Sequence, residues 1–243
     1  MGISGGPYVI RDSSLVLELD ASDLNSYVSG SATWYDVSGN GSDYSLINTP
    51  SFSNNGIVFD GVSQYASGPS FYFDANTSFT MEIFYSKLGQ VGDRTTIAGQ
   101  TQQISGSLIS NARIIFGLFD PTYGVRNNIY DYTAQVGNFI DNVAPNNLSN
   151  HQLVMVVDKT NKFHRSYSDG GSIIAQLGPN NPGIYPTGSI INGPNPIYLG
   201  CRAPGGSSYC NVIIYSVKIY NRALTATEVQ QNYNALKSRF GLK

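Results

Sequence analysis

The sequence predicts an all-β protein: a two-sheet antiparallel jelly-roll sandwich with one C-terminal amphipathic surface helix. Three observations predict it. Short runs with a period-two apolar pattern recur from Leu15 to Tyr220, separated by turn-forming Asn, Gly, Asp and Ser. A single segment near the end changes to helical spacing. Charged residues make up only 12% of the chain, about half the ~25% typical of globular proteins, while aromatics also reach 12%; that balance suits strands joined by polar, uncharged loops.

At 243 residues, with nothing that marks a linker, the chain reads as one unit. Residues 1–14 carry Gly2, Gly5, Gly6 and Pro7 and no periodicity, so they are expected to form an extended arm, and residues 15–243 the domain. Leu15, Leu17 and Leu19 alternate with Val16, Glu18 and Asp20, giving the first strand a leucine face and a partly acidic face. Thr33 to Tyr35 leads into the turn-rich Asp36-Val-Ser-Gly-Asn-Gly41, and the chain runs on through Tyr44 to Ile47. Asn55-Gly56 and Asp60-Gly61 bracket the short strand Ile57 to Phe59 with hairpin-type turns.

Phe79 to Tyr85 alternates as a strand, and Ile114 to Phe119 is a further apolar run. Around them, Gly89 to Gly106 and Asp120 to Asn150 are long and polar, and they read as the loops on which binding surfaces are usually placed. His151 to Asp158 and Phe163 to Asp169 read as a hairpin whose first strand, apolar on both faces, is central. Ile197 to Gly200 reads as another strand. In the closing strand, Val212 to Tyr220, the set Ile213, Tyr215, Val217 and Ile219 is uniformly bulky and is expected to face the core. Thr225 and Glu228 form a capping box, Val229, Tyr233, Leu236 and Phe240 repeat at helical spacing, and Gly241 stands where a left-handed cap belongs. So narrow a stripe lays the helix on the surface of something larger.

This ending, strand, Tyr-Asn-Arg-Ala-Leu-Thr, acidic cap and helix, resembles the close of laminin G-like domains in the concanavalin A-like lectin and glucanase superfamily. The opening order, Leu-x-Leu-Asp-Ala, Trp-Tyr-Asp-x-Ser-Gly-Asn-Gly, Val-Phe-Asp-Gly and Gln-Tyr, is similar to their first half. The start, Met-Gly-Ile-Ser-Gly-Gly-Pro, looks like that of the stand-alone versions in tailed bacteriophages. The resemblance implies a component of the virion surface on capsid or tail, with other virion proteins as partners, calcium in some relatives, and release by lysis in place of the secretion leader that Met1 to Ser14 does not resemble.

Several groups of residues carry candidate chemistry. Sugar recognition needs an aromatic face for the apolar side of a pyranose and amides or carboxylates for its hydroxyls; Tyr123, Asn127, Asn128, Tyr130, Asp131 and Tyr132 supply both, with Tyr185 and Tyr209 as further loop candidates. A Tyr-rich chain also places tyrosines at subunit contacts, so a homo-oligomer stays open. Asp36, Ser38, Asn40 and Gly41 have the early spacing of a calcium loop, but its twelfth position is Ile47, so a metal would need oxygens from elsewhere, such as Asp60, Asp20 or Asp43; a plain Asx turn explains the same residues. Glu18, Asp20 and Asp23 resemble the glucanase carboxylate signature, yet retaining hydrolysis needs two carboxyls ~5 to 5.5 Å apart, and Glu18 and Asp23 on a regular strand face opposite ways. Cys201 and Cys210 flank a flexible loop and form either a disulfide, worth about 2 to 3 kcal/mol, or a pair of buried thiols. His151 and His164 have no ligand or nucleophile partner at useful spacing and read as ordinary strand residues.

A net charge of −2 without a basic cluster gives neither nucleic acid nor anionic lipid its electrostatic foothold, and no apolar run is long enough to cross a bilayer. The expected function is that of a non-catalytic virion-surface protein with a lectin-like fold that binds host-surface glycans; the alternatives are a purely structural protein that stabilises a capsid and, second, a glycoside hydrolase using Glu18, Asp20 and Asp23.

Overall fold

A computed structural model describes residues 7–71, 73, 77–89, 95–104, 107–120, 124–131, 136–141, 143–171, 173–177, 196–205 and 208–242. The strands in chain order are β1 (Leu15–Asp20), β2 (Thr33–Trp34), β3 (Tyr44–Ile47), β4 (Ser51–Ser53), β5 (Gly56–Asp60), β6 (Tyr65–Ser67), β7 (Phe79–Lys87) and β8 (Thr95–Ile104). They continue with β9 (Ser107–Asp120), β10 (Gly124–Asp131), β11 (Val136–Ile140), β12 (Asn150–Asp158), β13 (Phe163–Ser168), β14 (Ile173–Leu177), β15 (Tyr198–Leu199) and β16 (Asn211–Tyr220). One helix follows, α1 (Ala226–Leu236).

Every strand pairing is antiparallel. The first sheet runs β14-β13-β12-β7-β16-β5-β4, with β1 also paired to β16; the second runs β11-β10-β9-β8-β15-β6-β3-β2. Between them lies the main core, built by alternation: Met81, Ile83 and Tyr85 of β7 and Leu153, Met155 and Val157 of β12 face Trp34, Tyr44 and Phe116 of the second sheet. Each such side chain removed from water stabilises the fold by roughly 1.5–3 kcal/mol.

The two polar stretches expected as loops contain strands instead: β8 lies within Gly89 to Gly106, and β10 and β11 within Asp120 to Asn150. The reason is visible in β10, where Val125 and Ile129 enter the core and Asn127 takes the core position between them. A bulge in β9 at Gly117 (φ 67°) leaves an amide facing inward, and Asn127 Oδ1 accepts it at 3.0 Å while Asn127 Nδ2 donates to Ser166 Oγ of the other sheet at 2.9 Å. A buried asparagine brace hides the alternation.

β16 holds a second bulge. The register against β7 slips between Ile214 and Ser216, so the parity of the strand reverses part-way. Val212, Ile214, Val217 and Ile219 enter the inter-sheet core, whereas Ile213, Tyr215 and Tyr220 face outward. The expected single bulky face is therefore divided between two cores.

The outward core is closed by α1. Thr225, extended at φ −74° and ψ 160°, caps it: Thr225 Oγ1 accepts from Glu228 N at 3.2 Å and Thr225 N donates to Glu228 Oε2 at 2.8 Å, the predicted reciprocal box. Val229, Asn232, Tyr233 and Leu236 are buried against the first sheet. The helix stops at Leu236, short of the expected stripe, but Phe240 is still buried and stacks on Tyr215 with centroids 5.2 Å apart.

The described part of the N-terminal arm is docked. Val9 joins the cluster of Tyr233 and Leu236, Ile10 N donates to Asn232 Oδ1 at 2.8 Å, Tyr220 Oη donates to Ile10 O at 3.0 Å, and Arg222 ties Asp12 to Glu228 at 2.8 and 2.7 Å.

Candidate functional site

The outer face of the first sheet, under α1 and the arm, carries a charged row. Register aligns Glu18 of β1 with Lys218 of β16, and Lys218 with Glu82 of β7, and all three are buried. Arg11 clamps Glu18 at 2.7 and 2.8 Å, Lys218 Nζ donates to Ser216 Oγ at 2.8 Å, and Glu82 accepts from Gln152 and from Asn232 Nδ2, the latter at 2.9 Å. Burial pushes the Glu82 carboxyl upward, opposed by Lys218 and these two amides.

Every acid of the glucanase-like set is engaged. Glu18 is held by Arg11, Asp20 is buried and paired with Arg239, and Asp23 accepts from Asn25 N at 2.9 Å. A general acid or nucleophile needs an accessible carboxyl, and Glu18 is sealed from solvent.

The proposed calcium loop does not fit the ion. Asp36 Oδ1 accepts from the amides of Glu18 and Ser38, and Oδ2 from Ser38 Oγ and the amide of Ser42, at 2.8 to 3.0 Å. Four donors occupy the four lone-pair positions of one carboxylate, where a cation would need the same lone pairs. Asn40 Nδ2 donates to Leu15 O, and Asp60 Oδ1 accepts from Val62, Ser63 and Gln64 in a turn of its own. Among the described residues, no three His, Cys, Asp or Glu gather in a way that could hold an ion.

Cys201 and Cys210 are free, buried thiols, both pushed up to about 12 by burial, which keeps them protonated and unreactive. His151 is bonded on both ring nitrogens, to Asp169 and Asn147 at 2.8 Å.

The outer face of the second sheet is finished differently. Residues in direct register share a face, and the series Tyr198, Gly99, Ile115 and Asn128 crosses β15, β8, β9 and β10 on the side away from the core. Three interstrand steps of ~4.8 Å make this row roughly 14 Å long. Tyr65, adjacent on β6, sets its ring 6.0 Å from Tyr198 and 6.3 Å from Tyr209, and all three are half-buried. Burial raises the Tyr65 and Tyr198 phenols. At the far end Asn128 is only 4% exposed, and its Oδ1 has no partner among the described residues.

The predicted sugar residues are thus separated. Asn128 lies on the outer face, and the side chains of Tyr130 and Asp131 lie outside those the structure describes. Asn127 is corrected: it braces the core with both ends of its amide used, and no saccharide reaches it. Tyr123, Tyr132 and Tyr185 lie outside the described residues. Tyr209 is in the outer cluster, whereas Tyr65 and Tyr198 were not singled out by the sequence; the signal was Tyr198 standing between Ile197 and Leu199, both core residues.

With this geometry in hand, the relationships are clear. A family model described as the concanavalin A-like lectin/glucanases superfamily, of the laminin G type, matches residues 60–230, and the chain belongs to that family. No curated protein matches its sequence. Among solved structures, it is similar to the Trypanosoma rangeli sialidase in complex with sialic acid (18% identity, TM-score 0.66), covering 97% of this chain and 36% of that one. It is also similar to the binding domain of Paraclostridial Mosquitocidal Protein 1 (14%, TM-score 0.68, 93% and 53% coverage) and to the botulinum neurotoxin serotype G binding domain (14%, TM-score 0.62, 90% and 50%). The chain spans about a third to a half of those structures, and at such identities the likeness is one of fold.

Proposed function

We propose that this chain is a non-catalytic, glycan-binding domain of a virion surface, and that it takes saccharide on the outer face of its second sheet. The observation that carries the reading is the half-buried cluster of Tyr65, Tyr198 and Tyr209. Aromatic faces cover the apolar side of a pyranose, and the phenol groups of the cluster suit its hydroxyls. The lectin-like fold supports the reading, and so does the use of Glu18 and Asp20 in ion pairs rather than in an open cleft. The virion setting rests on the resemblance of the N-terminal segment to phage domains.

The test is binding of the purified protein to a panel of bacterial envelope glycans, with products checked for cleavage. Retention without cleavage is expected, and Tyr198→Ala should weaken it roughly tenfold, about 1.4 kcal/mol, with an unchanged melting temperature. No retention, or equal binding by Tyr198→Ala, would overturn the proposal.

A second reading, protein contact on a particle, is favoured by Leu24, Val28 and Tyr35, which are 80%, 56% and 47% exposed on the segment between β1 and β3. Concentration-dependent sedimentation that Leu24→Ser abolishes would support it.

A further inference from the structure

We infer that the saccharide bound on this face carries a carboxylate, and that Arg202 receives it. The inference rests on the glycan-binding reading above and names the class of sugar.

Arg202 sits on the short segment that crosses back over the second sheet. Cys201 bridges to Tyr209, and Arg202 N donates to Ser208 O at 3.3 Å. A Cβ on Gly99 would lie 2.8 Å from Arg202 Cα and 3.0 Å from its carbonyl oxygen, so the backbone of Arg202 rests directly on Gly99, and only glycine permits the approach. Gly99 is the register partner of Tyr198. The backbone of Arg202 is thereby fixed over the register partner of Tyr198, on the same face.

Its charge is treated unlike that of four other described arginines, while Arg165 lies over the Phe163 ring at 3.5 Å. Arg11, Arg126, Arg222 and Arg239 each pair with a carboxylate, whereas Arg202 is half-buried with no carboxylate partner among the described residues. A partly desolvated cation without a counter-charge is unfavourable until an anion arrives, and the planar guanidinium fork matches a carboxylate through two parallel hydrogen bonds. Adjacent ring faces orient the sugar that bears that group. A solely structural Arg202 would be a prop whose stem covers Gly99, and its charge would then have no effect on binding.

The experiment uses calorimetric titration of the intact chain with two acidic probes, 3′-sialyllactose and trigalacturonate, each against its methyl ester, which keeps the shape and removes the charge. At least one acid should bind roughly tenfold or more tightly than its ester. Arg202→Gln should abolish that preference without changing ester binding or thermal stability, and Arg202→Lys should restore only part of it. A preference that survives Arg202→Gln, or equal binding of acid and ester for both probes, overturns the inference. Retention of neutral glycans on the panel with no acid preference would remove this inference and leave the glycan-binding reading standing; loss of both would mean that no glycan binds at all.

Discussion

On the outer face of the first sheet, Glu18, Lys218 and Glu82 lie in register beneath α1 and the arm, and each has a bonded partner; on the outer face of the second sheet, among the described residues, Arg202 near the half-buried tyrosines has no carboxylate partner, and Asn128 Oδ1 at the far end of the row has no partner. Both faces contain buried polarity on the same kind of scaffold. The difference lies in what satisfies it. Where the chain supplies the partners from its own termini, polarity fixes the position of a helix; where it does not, the groups are available to a molecule from outside. Acidic residues with an enzyme-like spacing fall on the satisfied face, where Glu18 and Asp20 are held in ion pairs.

The largest effect that separates the faces is expected from Lys218→Met. It leaves Glu82 without its cation in a sealed environment, and breaking one member of a buried charge network costs about 3–5 kcal/mol. The denaturation midpoint should fall accordingly, with partial recovery when Glu82→Gln is added. Arg202→Gln, on the other face, should stay within about 0.5 kcal/mol of the parent. If Lys218→Met proved as mild as Arg202→Gln, the row would not be structural.

Asn232→Leu tests the link between helix and row. Asn232 accepts from Ile10 N and donates to Glu82 and to Tyr220 Oη, at 2.8, 2.9 and 3.0 Å, so leucine removes three hydrogen bonds and strips the Ile10 amide of its side-chain partner. A loss of about 1–3 kcal/mol is expected, together with faster amide exchange at Ile10. Exchange at Ile10 as slow as in the parent would show that Val9, Tyr220 and Arg222 hold the arm without Asn232.

These two faces were unequally legible in the sequence. The strand, capping box and helix at the end, and the Leu-x-Leu strand at the start, could be read because their signals are local. The division of β16 between two cores could not, since one bulge near Tyr215 reverses parity without changing the residues. β10 was hidden by Asn127 in a core position, and the outer tyrosine cluster was hidden because Tyr65 and Tyr198 become neighbours only through register across β6 and β15. The charged row has the same origin: Glu18, Glu82 and Lys218 are far apart in the chain, and only the order of β1, β16 and β7 aligns them.

The interior between the faces provides a pH-dependent contrast. His164 is fully buried on β13, and burial pulls its imidazole down from 6.5 to about 3. Its pKa is depressed on folding, so the unfolded chain binds the extra proton first. The neutral ring's contribution is complete above pH 6.5 and declines by roughly 1.4 kcal/mol per pH unit as the pH falls toward 3. Unfolding free energies measured from pH 7 to 4 should follow that slope, and His164→Gln should flatten it; an unchanged slope in the variant would assign the acid sensitivity elsewhere.

The smallest effect belongs to the arm's outer anchor. A hydrogen bond from the Ser14 hydroxyl, followed by those from Arg222, lowers the Asp12 carboxyl from 3.8 to about 2. A depressed carboxylate contributes stability that is complete above 3.8 and is lost as the pH falls through about 2, a window below the one set by His164. Asp12 is exposed, so solvent screens the pair with Arg222 and the change should be slight. Asp12→Asn should therefore shorten only the last part of the acid limb, between about pH 4 and 2, and leave glycan binding untouched, because the group lies on the face that the chain itself has closed. A change in binding with Asp12→Asn would mean that the two faces communicate through the sandwich, and the separation of a structural face from a receptive one would have to be abandoned.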